Sequence, residues 1–240
     1  MEESTNKEQG IIDRIVYEDN HIIVINKLPS EIVQGDKTGD RPLSEKVKDF
    51  IKERDHKPGN VFCGVIHRID RPVSGLIIFA KTSKALSRFN ELFREKNIHK
   101  QYLAVVSAMP KENKGKLVHW LKKDERSNTS ECYLKEVPGS QRAELDYEHL
   151  CSSDNYHLLL ITLHTGRHHQ IRTQLSSIGC PIKGDLKYGF QRSNENGGIS
   201  LHARRIEFLH PVKKENIVIT APLPAGDIWN TFNYTGVQQS

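Results

Sequence analysis

The chain has 240 residues, of which 36% are hydrophobic and 27% charged, and its 35 lysines and arginines against 30 acidic residues give a net charge of +5. No apolar run approaches the roughly 20 residues that a membrane helix needs, so the composition excludes a membrane-spanning protein and favours a soluble globular one. The small basic surplus suits a polyanionic partner, although an ordinary solvated surface explains it equally well.

The N-terminus and the cysteines indicate the cellular setting. The first residues, MEESTNKEQG, lack the basic start and apolar stretch of a secretory signal, and we therefore expect a cytoplasmic protein. We expect a polar extension over residues 1–10, one domain over 11–232 and a polar tail over 233–240. The cysteines form no CxxC pair, which argues against a thiolate metal site or a disulfide scaffold and predicts reduced thiols at Cys63, Cys132, Cys151 and Cys180.

The first predicted elements are short strands around an amphipathic helix. The β-branched segments IIDRIVYED and HIIVINK predict a hairpin that turns at Asp19 and Asn20. Apolar residues then recur at helical spacing, which predicts a helix from Pro42 to about Arg54. A short strand and the strand SGLIIFAK follow, separated by the loop HRIDRPV, in which Pro72 interrupts the strand pattern.

A second helix and a series of strands complete the chain. Ser83 can cap a helix with Phe89 and Phe93 on its apolar face, and HKQYLAVVSAM then returns as a strand. A third helix begins near Arg167 and ends at Gly179, a residue that tolerates the left-handed backbone. Strands are also predicted at about 116–121, 130–137 and 143–150, and in YHLLLITLHT, ISLHARRIEFLH and ENIVITAPL.

Strands outnumber helices in this prediction, and the two do not alternate regularly. Such an order is typical of an α+β fold rather than of a doubly wound parallel sheet. We therefore predict one domain built on a largely antiparallel sheet with flanking helices.

Three segments concentrate residues with chemical potential. In VIHRIDRPVSGLIIFAKTSKAL, His67, Arg68 and Asp70 share a loop between apolar strands, which is a reasonable position for a site. By spacing alone the cluster is more typical of a structural turn or an ion pair than of a site. Tyr102 lies on the strand KQYLAVV and by itself is typical of a core tyrosine with a satisfied hydroxyl.

The third segment is HTGRHHQIRTQLSSIGCPIKGDLKYG, which places three histidines and two arginines around a helix N-terminus. His168 and Arg172 are four residues apart and would share one face of that helix.

Taken in this order, the three segments resemble the RluA family of pseudouridine synthases. The family patterns are H-R-L-D-x-x-T-S-G, K-x-Y-x-A, and G-R-T-H-Q-I-R followed by G-x-P-I-x-G-D-x-x-Y-G. The stretches YEDNHIIVINK and LHARRIEFLHPV…APLP extend the resemblance over roughly residues 15–224. It implies an RNA-modifying catalytic domain with a bent sheet and a central RNA-binding cleft, without the N-terminal S4-type domain that many relatives carry. The implied substrate is ribosomal or transfer RNA, and we expect a monomer.

The resemblance also implies roles for single residues. It makes Asp70 the nucleophile, Tyr102 the active-site tyrosine and Arg172 the basic partner of the aspartate. Ile69 and Val73 stand where the family has Leu and often Thr, and none of the departures removes a residue of the chemistry. His168 replaces a frequent Thr and could change contacts at the pocket rim. The residues expected to bind the substrate are Arg68, which is associated with displacing the target base, His67, Arg167, His169 and Gln170.

The implied reaction is consistent with these residue types. Uridine becomes pseudouridine when the N1–C1′ bond breaks and C5 joins the sugar, a rearrangement that needs neither a metal nor a redox cofactor. An ionised carboxylate suits the charge that develops at C1′, and an arginine within about 4 to 6 Å would keep it ionised. The base must leave its stack, Arg68 could fill the vacated space, and Tyr102 could stack on the base or move a proton. Attack at C1′, attack at C6 and a glycal path all remain open.

Two other functions fit parts of the sequence. His164, His168 and His169, with Asp185 downstream, could hold a metal in a hydrolase, although no HExxH framework accompanies them. The basic segments KKDERSN and HARR could belong to a non-catalytic RNA-binding protein. Asp70 argues against a non-catalytic RNA-binding protein, because a carboxylate repels phosphate.

Overall fold

The structure is a computed structural model that describes residues 10–224 and 226–232. Its helices are α1 (Leu43–Arg54), α2 (Ser83–Arg94), α3 (Gln170–Ser177) and α4 (Asp227–Asn230), and a 3-10 turn covers Leu186–Tyr188. Its strands are β1 (Ile15–Glu18), β2 (Ile22–Lys27), β3 (Gly64–Val65), β4 (Ser74–Ala80), β5 (Ile98–Val106), β6 (Lys114–Asp124), β7 (Thr129–Tyr133), β8 (Gln141–Ser152), β9 (His157–Leu163), β10 (Leu201–Leu209) and β11 (Asn216–Thr220).

The chain forms two compact units. Of the described residues, the first unit contains those up to Ile98 together with Arg205–Pro222, and the second contains His99–Arg204 and those from Leu223 to Phe232. None of the helices in the described residues is long and apolar enough to cross a membrane.

In the first unit, strand β2 pairs antiparallel with both β1 and β4, and β3 adds to β4. Strand β4 is buried along its whole length, so both faces of the sheet need a cover. Ile22 and Val24 point to the face covered by α2, whereas Ile23 and Ile25 point to the face covered by α1. This alternation follows from the two-residue period of a strand, and it explains why HIIVINK is apolar without interruption.

In the second unit, five antiparallel strands lie in the order β5-β9-β8-β6-β7. Helix α3 packs on the face that carries His119, since Gln174 Nε2 lies 3.0 Å from His119 Nδ1 and donates to the Leu117 carbonyl at 3.2 Å. The opposite face is covered by the segment of Trp229 and Phe232, which packs against a cluster that includes Leu103, Val105 and Leu158.

The predicted α+β class with a largely antiparallel sheet is confirmed, and helix α1 lies where the apolar spacing predicted it. Gly179 ends the third helix region with a left-handed φ of 79°. The predictions of residues 1–9 and of the tail over 233–240 fall outside the described residues. A single catalytic domain over 11–232 stays a prediction.

Three local predictions are wrong. Ile11 and Ile12 are helical rather than part of a strand. Thr82 rather than Ser83 caps α2, because Thr82 keeps an extended backbone and its hydroxyl accepts from Ala85 N at 3.1 Å. The third helix begins at Gln170 rather than near Arg167, because His169 adopts a left-handed conformation with φ 52°.

Candidate active site

The Asp70 loop, residues 66–73, joins strands β3 and β4 of the first unit. Val73 N donates to the Asp70 carbonyl at 3.0 Å, which closes a tight turn around the aspartate. The side chains of Asp70 and His67 are half-buried, and that of Arg68 is exposed. His67 is fixed by strand β4, since its Nε2 accepts from Ile78 N at 3.2 Å. The unit therefore brings the three predicted residues of this motif together on one ordered loop.

Lys27 closes strand β2 next to this loop and is completely buried. Its Nζ donates to the carbonyl oxygens of Leu28, Glu31 and Arg71, each at 2.9 Å. Burial lowers the pKa of Lys27 to about 7, and the carboxylates of Glu31 and Asp70 oppose that fall. Lys27 was not among the predicted site residues, and its signal in the sequence is a lysine that ends an apolar strand.

In the second unit, the turn before helix α3 is built around the side chain of Gln170. Its Oε1 accepts from Arg167 N at 3.0 Å and from the Thr165 hydroxyl at 2.8 Å, and its Nε2 donates to the Glu144 carbonyl at 3.1 Å. The Arg167 side chain is exposed, and its Nε donates to a main-chain carbonyl of strand β8 at 3.1 Å. Gln170 thus shapes the turn, and its predicted contact with the substrate stays a prediction.

His169 is buried at this turn and stacks on His168 with ring centroids 3.8 Å apart. Its Nδ1 lies 2.8 Å from the Tyr188 hydroxyl, which in turn accepts from Ser130 N at 2.7 Å. Burial, and then the positive charge of Arg172 and other cations, lowers the pKa of His169 to about 2. His169 is therefore neutral at physiological pH.

Arg172 forms a buried ion pair with Asp185 of the GDLKYG segment. Arg172 Nε and Nη2 donate to the two carboxylate oxygens at 2.7 and 2.8 Å, and the two side chains are 4% and 1% exposed. The guanidinium also lies over the Tyr188 ring, 5.0 Å from its centroid. A bidentate pair of this kind fixes the direction of the guanidinium. Asp185 was not predicted in this role, and the predicted pairing of Arg172 with Asp70 stays a prediction.

Tyr102 lies in the middle of strand β5, opposite Ile161 of β9, and is 7% exposed. Its position on a central, buried strand gives the ring a rigid support. Its predicted role in stacking or proton transfer stays a prediction.

The alternative of a metal site has little support in the geometry. The described part of the chain contains no group of three or more His, Cys, Asp or Glu side chains that could hold a metal ion. His164 Nε2 instead lies 2.6 Å from Asp146, and Asp185 is bound by Arg172. The histidines of this segment therefore have protein partners of their own.

Comparisons with known proteins give a consistent picture. The family model described as RNA pseudouridylate synthase matches residues 21–177. The chain is 32% identical over 225 residues to the ribosomal large subunit pseudouridine synthase C of Buchnera aphidicola subsp. Acyrthosiphon pisum (strain APS), covering 91% of this chain and 69% of the relative. It is 30% identical over 229 residues to the tRNA pseudouridine synthase C of Haemophilus influenzae, covering 87% of this chain and 92% of the relative.

Two solved structures share the fold. Human RNA Pseudouridylate Synthase Domain Containing 4 superposes with a TM-score of 0.77 at 20% identity, over 92% of this chain and 93% of that one. Human RNA Pseudouridylate Synthase Domain Containing 1 superposes with a TM-score of 0.67 at 24% identity, over 88% of this chain and 83% of that one. At these identities the likeness describes the arrangement of the backbone alone.

Proposed function

The chain belongs to the RNA pseudouridylate synthase family, and from this premise we propose that it isomerises specific uridines of ribosomal or transfer RNA with Asp70 as the nucleophile. The resemblance to the RluA family is thereby confirmed, and the chain is a pseudouridine synthase, an isomerase. RNA is its partner, and the choice of RNA and of uridine belongs to the proposal.

The observation that carries the assignment of Asp70 is the ordered loop between β3 and β4. A nucleophile must be held in a reactive geometry, and here the carbonyl oxygens of Asp70 and Arg71 are hydrogen-bonded while the Asp70 side chain is half-buried. A carboxylate can attack the sugar or the base as the N1–C1′ bond breaks. The C5–C1′ bond then forms, the C5 hydrogen leaves as a proton, and N1 gains a proton from solvent.

Arg172 is proposed to stabilise negative charge at the reacting centre, the Asp70 carboxylate included. Its pair with Asp185 supports this role, because a guanidinium held on one side by two charge-assisted hydrogen bonds presents its remaining donors in a fixed direction. Neutral His169, a few residues away, adds no competing charge. The proposed chemistry thus needs one cation of fixed orientation.

The remaining predicted residues are proposed to handle the nucleotide. Arg68 is exposed beside the nucleophile, so its long side chain can enter the space that an extruded base leaves. Tyr102 offers a ring for stacking and a hydroxyl for proton transfer. His67 and the turn of Arg167, His169 and Gln170 are proposed to contact the nucleotide or its neighbours.

The relatives are named for ribosomal large subunit RNA and for transfer RNA, and both classes are proposed here as substrates. In either class a protein reads unpaired bases and the shape of the fold more readily than a helical sequence. Because these RNAs are cytoplasmic, we place the enzyme in the cytoplasm, acting as a monomer.

The test is a nucleotide-resolution map of pseudouridine in total RNA, with and without the protein. We expect a small number of positions in ribosomal or transfer RNA to gain pseudouridine with the wild-type chain and to stay uridine with Asp70→Asn. RNA that binds the wild-type chain without any conversion would overturn the proposal and favour a non-catalytic RNA-binding protein. Conversion by Asp70→Asn at the wild-type level would overturn the role of Asp70 alone.

A further inference from the structure

Ser130 lies in strand β7, at one edge of the sheet of the second unit, and is 6% exposed. An edge strand turns some of its main-chain N–H groups away from the sheet, and a buried N–H group without an acceptor is unfavourable. The Ser130 N–H group donates to the Tyr188 hydroxyl at 2.7 Å. At this residue, therefore, a side chain of the GDLKYG segment completes the edge of the sheet.

The Ser130 hydroxyl binds His168, the residue before the left-handed His169, at two atoms. It donates to the His168 carbonyl oxygen at 2.8 Å, and its Oγ lies 2.9 Å from His168 Nδ1. A hydroxyl carries one hydrogen, so donation to Nδ1 would leave two oxygens facing each other at 2.8 Å without a hydrogen between them. The hydroxyl hydrogen therefore goes to the carbonyl, and Nδ1 of the ring donates its own hydrogen to Oγ. Ser130 thus holds the His168 ring with a hydrogen on Nδ1.

The two histidines of the turn form one stack that strand β7 holds through Ser130. The centroids of the His168 and His169 rings are 3.8 Å apart, and the ring planes differ by 23°. His169 Nδ1 lies 2.8 Å from the same Tyr188 hydroxyl that accepts from Ser130 N. One residue of β7 is thus bonded directly to His168 and, through Tyr188, to His169.

Tyr188 extends this connection to Arg172. The Arg172 guanidinium lies over the Tyr188 ring, 5.0 Å from its centroid, and helix α3 begins directly after His169. A shift of the turn would move the first residues of α3, and a small displacement of a group at the reacting centre has a large effect on rate. The Arg172 guanidinium is therefore supported from strand β7 as well as by Asp185.

Resting on the proposed function, we propose that Ser130 is a positioning residue for the reaction. Its hydroxyl holds the ring and the carbonyl of His168, its N–H group holds Tyr188, and these bonds fix the turn that precedes Arg172. Ser130 does not touch the RNA in this account, and its effect passes through the turn. His168 stands where the family often has Thr, so the bond between the Ser130 hydroxyl and an imidazole is a feature of this chain.

Two substitutions remove the bond between the hydroxyl and the ring from either side. Ser130→Ala removes the hydroxyl but keeps the N–H group that donates to Tyr188, and His168→Phe keeps a ring that can stack on His169 but removes Nδ1. We expect Ser130→Ala to lower kcat about tenfold and His168→Phe about fivefold, with KM for RNA changed by less than about threefold in each. The double variant should lower kcat by about tenfold, less than the product of the single effects, because residues that bond each other are coupled.

Two readouts separate positioning from a general loss of stability. The nitrogen NMR signals of the His168 ring can be assigned by their absence from His168→Phe. They should report hydrogen on Nδ1 in the wild type and a shift towards hydrogen on Nε2 in Ser130→Ala, because the bond that selects the tautomer is lost. Ser130→Thr keeps the hydroxyl on a residue that strands favour, and it should retain the wild-type signals and a kcat within about threefold of the wild type.

Ser127→Ala is the matched control in the same hairpin of β6 and β7. The Ser127 hydroxyl is exposed and donates to the Asp124 carboxylate at 2.7 Å. We expect this variant to leave kcat, KM and the His168 signals at wild-type values, because its hydroxyl bonds within the hairpin rather than to the turn.

The outcomes distinguish this proposal from the proposed function. If wild-type protein converts no uridine, the function fails, and the NMR signals still test whether Ser130 holds the His168 ring. If the wild type is active and folded Ser130→Ala keeps kcat within about threefold, or leaves the His168 signals unchanged, Ser130 is no positioning residue.

The His168→Phe variant supplies an independent decision. A raised KM with unchanged kcat would make His168 an RNA contact and would overturn the proposal. Should Ser130→Ala fail to fold, His168→Phe decides alone, and a kcat within about twofold of the wild-type value would contradict the positioning role.

Discussion

Two aspartates of the first unit precede core strands, Asp19 before β2 and Asp70 before β4, and the contacts around them allow a comparison of their roles. The Asp19 carboxylate is 7% exposed and accepts from His21 N at 2.7 Å and Ile22 N at 2.9 Å, while Lys213 lies 3.0 Å away. Around Asp70, the main-chain carbonyl oxygens of Asp70 and Arg71 accept from Val73 N at 3.0 Å and from Lys27 Nζ at 2.9 Å. The donors around the Asp19 carboxylate stabilise the fold, whereas the hydrogen bonds of the Asp70 main chain fix the position of the proposed nucleophile.

Asp185 resembles Asp19 in having a carboxylate surrounded by donors. It is buried, and both of its oxygens accept from Arg172. Substitution of Asp19 or Asp185 should therefore act first on stability, and substitution of Asp70 should act first on catalysis.

Asp185→Asn should give the largest loss of stability, about 3 to 5 kcal/mol in the free energy of unfolding, because it leaves the Arg172 guanidinium buried without its counter-charge. Urea unfolding followed by circular dichroism measures the loss. Asp146→Asn is the control, since Asp146 is 43% exposed and its pair with His164 lies at the surface. Equal losses in the two variants would contradict the importance assigned to the buried pair.

Tyr188→Phe should lower the free energy of unfolding by about 1 to 3 kcal/mol. It removes the buried hydroxyl that accepts from Ser130 N and hydrogen-bonds with His169 Nδ1. The same unfolding experiment checks it, with Tyr133→Phe as the control at a less buried hydroxyl. A neutral result for Tyr188→Phe would show that water replaces the lost partner.

Asp19→Asn should give the smallest loss, about 1 to 2 kcal/mol near neutral pH. Burial alone would raise the pKa of Asp19, but hydrogen bonds from two backbone amides, Lys213 and Tyr17 outweigh it and lower the pKa to about 2 from the model-peptide value of 3.8. A depressed folded pKa gives stability that is complete above pH 3.8 and is lost as the pH falls toward 2.

The wild type and Asp19→Asn should accordingly differ less in the free energy of unfolding as the pH falls from 3.8 toward 2. Unfolding measured at a series of pH values checks this. Asp13→Asn is the matched control, because Asp13 is an exposed aspartate of the same unit. A difference that is constant with pH would mean that the charge of Asp19 contributes nothing.

The sequence predicted the helices, strands and loops that a local pattern of residues determines. The helical spacing of Leu43, Val47 and Phe50 located α1, and the ordered motifs located the Asp70 loop and the turn before α3. Strands β2 and β4 were found because burial on both faces leaves an uninterrupted apolar run.

The contacts that position the site depend on side chains brought together by folding. The pair of Arg172 and Asp185 joins two motifs, and the left-handed backbone of His169 lies in a turn that the Gln170 side chain bridges. In the sequence, Lys27 is an ordinary lysine at the end of a strand. In the fold, its Nζ lies 2.9 Å from the carbonyl oxygen of Arg71, 44 residues away. None of these contacts follows from spacing or periodicity.

The most direct test of the central claim, that Asp70 is the nucleophile, is tritium release from RNA labelled at C5 of uridine, since the new C5–C1′ bond displaces that hydrogen into water. We predict release by the wild-type chain and a rate at least about 1000-fold lower for Asp70→Asn, with RNA affinity and unfolding midpoint unchanged. Release by Asp70→Asn within about tenfold of the wild-type rate would contradict the account.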